Sequence, residues 1–167
     1  MHEKRYLQPD FFTQNKRGKA GEEKIDLYVK FLGYEIQDVS ADPRYQKAGI
    51  DRILSQPCGY IAKAEYKTDF KAKQTGNLFF ETEANDRRNI PGWGHTSQAD
   101  IWIFYVPEQE ILVVEPGKFR WLVLEHLTTL KKKTVQNEGY CTFGFPVPLE
   151  SVRKISRYFY IIPPVPF

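Results

Sequence analysis

The sequence predicts an α/β domain, a central mixed β-sheet flanked by helices. Three observations predict it: an apolar stripe of helical period near the N-terminus, short segments of strand length through the middle, and a second helical stripe opened by a proline. The chain has 167 residues, 41% apolar and 15% aromatic, enough for one core and too apolar for disorder.

Residues 1–17 are polar, basic and aromatic and read as an arm, with Lys4, Arg5, Lys16 and Arg17 among Tyr6, Phe11 and Phe12. Ile25, Val29 and Leu32 recur at helical spacing and predict a helix over residues 20–32, stopped by Gly33. Tyr34 to Val39 alternates as a half-buried strand does. Residues 50–55 and 60–70 read as a hairpin around Gln56-Pro57-Cys58-Gly59, and Leu78-Phe79-Phe80 opens a further strand. Ile101 to Val106 and Ile111 to Val114 are apolar throughout, as interior strands are. Pro116 suits a first helical position, and Phe119, Leu122, Leu127 and Leu130 share a face, so a helix is expected to run to Lys131. The triplet Lys131-Lys132-Lys133 would then complement its dipole. A strand near 140–145 and a helix near 149–158 complete the body, and the tail from Ile161 to Phe167 is too rich in proline for helix or central strand. With no repeat or linker, the whole chain reads as one domain.

Composition narrows the function classes. No apolar run approaches the roughly 20 residues that span a bilayer, and no apolar segment follows Met1-His2-Glu3-Lys4-Arg5, so neither a membrane partner nor a signal peptide is expected. Cys58 and Cys141 lack metal-ligand spacing and read as free thiols of a reducing, cytoplasmic compartment. The net charge of +3 is mild, so the placement of charge matters more than its sum.

The chemistry concentrates in Gly49-Ile50-Asp51 and Glu65-Tyr66-Lys67, with Glu22 upstream. In a strand, Glu65 and Lys67 point together and Tyr66 points away. A hairpin symmetric about Cys58 sets Asp51 across from Glu65, with Cβ atoms about 4.5–5.5 Å apart. Two facing carboxylates need a cation between them, either Lys67 or a divalent metal. Glu22 lies on the stripe of Ile25 and Val29, whereas Glu23 is rotated off it. Mg²⁺ takes one or two carboxylates plus water and phosphate oxygens, and a lysine beside it suits charge developing on a phosphate.

These residues resemble the PD-(D/E)XK nuclease superfamily, the fold of many restriction endonucleases and of archaeal Holliday junction resolvases. The likeness covers Gly18 to about Val106. Lys19-Ala20-Gly21-Glu22 resembles its helical glutamate, Gly49-Ile50-Asp51 its first sheet acid, and Glu65-Tyr66-Lys67 its (D/E)-x-K strand; Ile50 stands where the motif has proline. The resemblance implies a restriction endonuclease-like fold and Mg²⁺- or Mn²⁺-dependent hydrolysis of DNA phosphodiesters. It implies metal ligation by Asp51, Glu65 and the Tyr66 carbonyl, with Glu22 completing or supporting the site and Lys67 serving the attacking water. The substrate is either junction or structured DNA, towards which the helix start and Glu-x-Lys spacing lean, or a specific sequence of the restriction or homing type. A non-catalytic nucleic-acid-binding module of the same fold is a third reading, and an assembly protein a fourth. Cutting both strands requires two sites, so a homodimer or higher symmetric oligomer is expected.

Around this centre, Lys63, Lys71 and Lys73 with Tyr66 and Phe70 suggest a ribbon that tracks a phosphate backbone. Residues 85–95 read as a long polar loop, in which Arg87 or Arg88 would grip phosphate or guanine. Trp93 would stack on a base or, equally, cap the core. Gln98 and Asp100 are expected at the rim of the site, and Glu81 and Glu83, sharing a strand face, are candidates for a second cation.

Overall fold

The computed structural model describes residues 11–161. In chain order the elements are α1 (Phe11–Phe31), β1 (Glu35–Asp38), α2 (Pro43–Ala48), β2 (Arg52–Ser55), β3 (Ile61–Thr68), α3 (Ala72–Thr75), β4 (Asn77–Asn85), β5 (Ile90–Pro91), α4 (Trp93–Thr96), β6 (Ile101–Val106), β7 (Glu110–Val114), α5 (Pro116–Glu125), β8 (Lys133–Gln136), β9 (Cys141–Pro148), α6 (Leu149–Ile155) and β10 (Tyr158–Ile161). They form an α/β fold around a six-stranded mixed sheet of order β1-β2-β3-β6-β7-β10, in which β3 and β6 are parallel. A four-stranded sheet, β5-β4-β9-β8, stands beside it.

The apolar pattern decides which face each element covers. Ile25 and Val29 of α1 bury against Leu54, Ala62, Ala64, Tyr66, Ile101 and Ile103 on one face of the six-stranded sheet. On the other face Trp102, Phe104, Leu112 and Val114 meet Phe119 and Leu122 of α5, Val152 of α6, and Leu78, Phe80 and Val147 of the second sheet. β3 therefore lies between two cores. Its even-numbered residues serve the α1 side, and Lys63, Glu65 and Lys67 serve the other.

The β2–β3 hairpin has the expected register: Arg52 pairs with Ala64, Ile53 with Lys63 and Leu54 with Ala62. Asp51 lies one step beyond, where the antiparallel path leads to Glu65.

Several sequence expectations are corrected. The first helix begins at Phe11, so part of the expected arm is helical; the rest of the arm and most of the proline-rich tail lie outside the described residues. Leu32 follows the helix and is 40% exposed, so it leaves the buried stripe. Lys71 and Lys73 do not lie on the β3 ribbon, because the strand ends at Thr68 and the chain turns into α3. Residues 85–95 are not one loop: β4 continues to Asn85, a tight turn leads into β5, and α4 follows. The helix from Pro116 stops at Glu125, and Lys133 opens a strand instead of closing a helix. The last helix ends at Ile155, and Tyr158 belongs to an edge strand.

Short α2 delivers the chain to Asp51. Asp42 caps it by accepting from the Arg44 amide at 2.9 Å, Pro43 fills a first helical position, and Gly49 ends it in the left-handed conformation. Hydrogen bonds from the Arg44 side chain and main chain lower the Asp42 carboxyl to about 2. A folded value below the unfolded one means that the cap is fully made above the ordinary aspartate range and is lost as pH falls through about 2. The Arg44 amide shift, followed by NMR, is expected to titrate there; a midpoint at the ordinary aspartate value would show that the cap does not form.

Candidate active site

Asp51 is fixed by the way α2 ends. Its amide donates to the Ala64 carbonyl at 2.9 Å, the last regular rung of the hairpin. The preceding chain turns away at Gly49 (φ 64°), so the Tyr66 amide finds no main-chain acceptor there. The Asp51 carboxylate supplies one: Tyr66 N–H donates to Oδ2 at 2.7 Å. The side chain thus replaces a missing ladder bond and is held at the end of β2 beside Glu65.

Glu65 is 3% exposed. Its Oε1 pairs with Lys67 Nζ at 2.6 Å, and its buried Oε2 has no hydrogen-bond partner among the described residues. A buried carboxylate oxygen left without a donor is costly, and such groups mark places where something else binds. Lys67 lies 5.3 Å from the centre of the Trp93 ring. Glu65 and Lys67 are thus paired on one face of β3, and Asp51 is tied to the main chain of the same strand at Tyr66.

Gly49 closes the back of this corner. An added Cβ would stand 3.2 Å from Glu65 Oε2 and 3.2 Å from the Ser97 Cα, in a conformation that side chains resist. Gly49→Ala is expected to destabilise the protein by about 1–2 kcal/mol through the left-handed backbone alone. Urea denaturation measures this, and an alanine variant as stable as the parent would contradict the turn geometry.

Glu22 lies against Arg52, on the α1 side of β3. Arg52 Nη2 bonds Glu22 Oε2 at 3.0 Å, Nε bonds Asp26 Oδ1 at 3.2 Å, and Nη1 bonds both Asp38 Oδ1 at 3.0 Å and the Asp51 carbonyl at 3.1 Å. Burial raises the Glu22 carboxyl; Arg52 opposes that rise, and the nearby Asp51 charge adds to it. Glu22 thus senses Asp51 while its hydrogen bond goes to Arg52. The Tyr66 ring also points to this side, 5.3 Å below the Arg52 guanidinium, and burial followed by the Asp26 charge pushes its phenol upward.

Of the other candidates, Glu81 comes to the site. Its Oε1 accepts from the Trp93 amide at 3.3 Å, and its carboxyl is raised by burial, restrained by that bond and by Lys67, and raised again by Glu65. Glu83 is separated from it by a β-bulge that interrupts the strand alternation. Trp93 is half-buried, edge-on to Trp102 at 5.0 Å and to Phe80 at 5.7 Å. Lys63 is exposed on the Glu65 face, and its amide donates to Asp100 Oδ2 at 2.8 Å. Gln98 is exposed, with its amide on the Ala48 carbonyl. Lys71 is exposed before α3, Lys73 pairs with Glu108, and Arg87 and Arg88 occupy the exposed β4–β5 turn.

Sequence reasoning missed three residues that build this corner. Arg52 shares a face with Leu54, so a charge at an inward strand position was the available signal. Ser97 is buried, accepts from the Trp102 indole at 2.8 Å and reaches the Gly49 carbonyl at 3.4 Å. Arg120 bonds the Gly94 and Ser97 carbonyls at 2.8 and 2.7 Å. Nothing local in the sequence marks these last two.

Among the described residues no group of three or more His, Cys, Asp or Glu side chains is placed to hold a metal. Mg²⁺ needs fewer: one or two carboxylates, with water and phosphate oxygens for the rest. Asp51 and the orphaned oxygen of Glu65 fit such a partial donor set. No helix among the described residues is long and apolar enough to cross a membrane.

No protein-family model matches the chain, and no curated protein is similar to it. Among solved structures it is similar to a bacterial homing endonuclease, I-Ssp6803I, with 19% identity and a TM-score of 0.48 over 64% of this chain and 72% of that one.

Proposed function

We infer that this protein is a divalent-metal-dependent endonuclease that hydrolyses DNA phosphodiester bonds, with junction or structured DNA as the first substrate class to examine. One observation carries the reading: a buried glutamate with an unpartnered oxygen, set beside a second carboxylate and a lysine at the end of one hairpin. This is the constellation that resembles the PD-(D/E)XK nucleases.

Mg²⁺ or Mn²⁺, when bound, supplies Lewis-acid polarisation of the scissile phosphate and a bound water of lowered pKa. Glu65 and Asp51 hold that ion, with the Tyr66 carbonyl assigned to it by the resemblance. Tyr66 N–H aims the Asp51 carboxylate, and Arg52 holds the Asp51 main chain from the opposite face. Lys67 orients the attacking water and offsets charge gathering on the phosphate. Glu22 supports the site through Arg52. Lys63, Lys71, Lys73, Arg87 and Arg88 are the cations assigned to the nucleic-acid backbone, and Trp93 is assigned to an unpaired base. Two such sites in a symmetric oligomer would cut both strands.

One observation favours a second reading, a non-catalytic nucleic-acid-binding module of the same fold: Lys67 itself neutralises Glu65. Nicking of supercoiled plasmid and cleavage of a labelled four-way junction separate the two. The expected result is cutting in Mg²⁺ or Mn²⁺ that is lost in EDTA, in Asp51→Ala and in Lys67→Ala. Chelator-insensitive DNA binding without cutting would replace it with the binding module, and preference for plasmid over junction would move the substrate to the restriction or homing class.

A further inference from the structure

Lys67 pairs with one carboxylate, Glu65, and Trp93 links the lysine to a second, Glu81, whose charge it also senses. Nζ of Lys67 is bonded to Glu65 and faces the Trp93 ring. The amide of the same Trp93 donates to Glu81. The approach is close: a Cβ at Gly92 would lie 2.4 Å from the Glu81 carbonyl oxygen and 2.8 Å from its Cγ. Only glycine at that position lets Trp93 reach Glu81 in this way. Glu81 belongs to the second sheet, whereas Glu65 and Lys67 belong to the first, so the corner is assembled from both.

In the structure Lys67 covers Oε1 of the glutamate that the cation would use, while Oε2 is left bare. An ammonium group and a divalent cation on one carboxylate repel each other, so loading the bare oxygen favours displacement of Lys67. We propose that Glu81 is a positioning residue that receives Lys67 from Glu65 when a divalent cation binds. This rests on the reading of Asp51 and Glu65 as the cation ligands. The amine crosses the face of the Trp93 ring, where an ammonium is favoured, and exchanges one carboxylate for another. Glu81 favours the loaded site without touching the cation, and keeps the lysine close to the substrate phosphate.

The test is Mn²⁺ affinity of the whole protein without DNA, read from the free-ion paramagnetic resonance signal, with near-ultraviolet circular dichroism as the check on folding. Glu81→Gln is expected to weaken Mn²⁺ binding by about tenfold, a coupling normal within one ion-pair network. Lys67→Met is expected to tighten binding, because it removes the competitor for Glu65. In the Lys67→Met background, Glu81→Gln is expected to change affinity by less than about twofold, as uncoupled residues do. A loss in Glu81→Gln that persists in the double variant would make Glu81 a direct ligand and overturn the proposal. An unchanged Glu81→Gln affinity would overturn it too, and so would a Lys67→Met variant that binds no tighter, even if Glu81→Gln failed to fold. In these cases loss of binding in Glu65→Gln would leave the cation site itself standing. No Mn²⁺ binding to the parent protein would overturn both.

Discussion

Glu65→Gln is expected to abolish metal-dependent cutting and to leave the fold as stable as the parent's. The two halves of this result have different causes. A neutral amide is a poor ligand for a hard divalent ion, and a site that stabilises developing charge commonly loses about a hundredfold to a thousandfold in rate when one such group is removed. Stability behaves otherwise. Glu65 is buried; among the described residues one of its oxygens has no partner, and its ion pair is to a lysine side chain that is 31% exposed. Removing the charge therefore relieves a desolvation cost of the same order as the pair that is lost, and the net change is within about 1 kcal/mol. Plasmid nicking and thermal unfolding of the same preparation give both readings. A variant that melts many degrees lower would show that Glu65 serves the fold, and a variant that still cuts would remove it from the site.

Arg52→Met is expected to give the largest loss of stability. The guanidinium is almost fully buried and is the shared partner of Glu22, Asp26 and Asp38. Removing one partner of a buried ion network costs about 3–5 kcal/mol when the remaining charges are sealed from water. Here the three carboxylates are 32%, 23% and 62% exposed, and solvent recovers part of that cost. A loss of about 2–3 kcal/mol remains, roughly 5–10 °C in melting temperature for a chain of this size. The sign with pH follows from the same groups. Asp38, lowered by its Ser40 bonds and by Arg52 against the effect of burial, stabilises the fold above its unfolded value and loses this as pH falls through the folded one. Glu22, raised chiefly by burial, does the opposite: its favourable contribution is complete in acid and is lost as pH rises through its folded value. Without Arg52 the carboxylates repel until they are protonated. The gap between parent and variant is therefore widest at neutral pH and narrows in acid. Thermal unfolding across pH measures it, and a gap independent of pH would place the loss in packing alone.

The parts of this protein legible from its sequence are those whose determinants are local. Ile101–Val106 is apolar at every position and is the buried strand this implies. The Gln56–Gly59 turn and the alternation around it set the hairpin register from Arg52–Ala64 to Ser55–Ile61. α2 was not expected, although its signal is local: Asp42 and Pro43 open a helix and Gly49 ends one, in a segment only six residues long. The second sheet was legible only in part: strands were expected at Leu78–Phe80 and near 140–145, where β4 and β9 lie, but neither their pairing nor β8 was. Its strand β8 begins with Lys133-Thr134, has no apolar face of its own, and exists by pairing with β9. The helix from Pro116 was overextended because Leu127 and Leu130 continue its period, whereas the chain leaves the helix at His126, whose ring bonds the Leu122 carbonyl. Ser97 and Arg120 illustrate the same limit in the site. Their partners come from other elements, and no spacing along the chain announces them.

The alternation along β3 makes one surface turn unusually intolerant of change in length. Turns normally accept insertions, because nothing packs on them. Pro57, Cys58 and Gly59 are exposed, yet the turn they form with Gln56 decides which residues of β3 face α1 and which face Lys67's partners. One residue added or removed there, with the turn shape kept and the pairing to β2 slid by one, would carry Ala64 and Tyr66 to the face that now bears Lys67 and drive Glu65 and Lys67 into the apolar layer beneath α1. Two residues would restore the order of faces and shift only the step along the strand. The length of this turn is therefore constrained in parity, although its composition is open to variation.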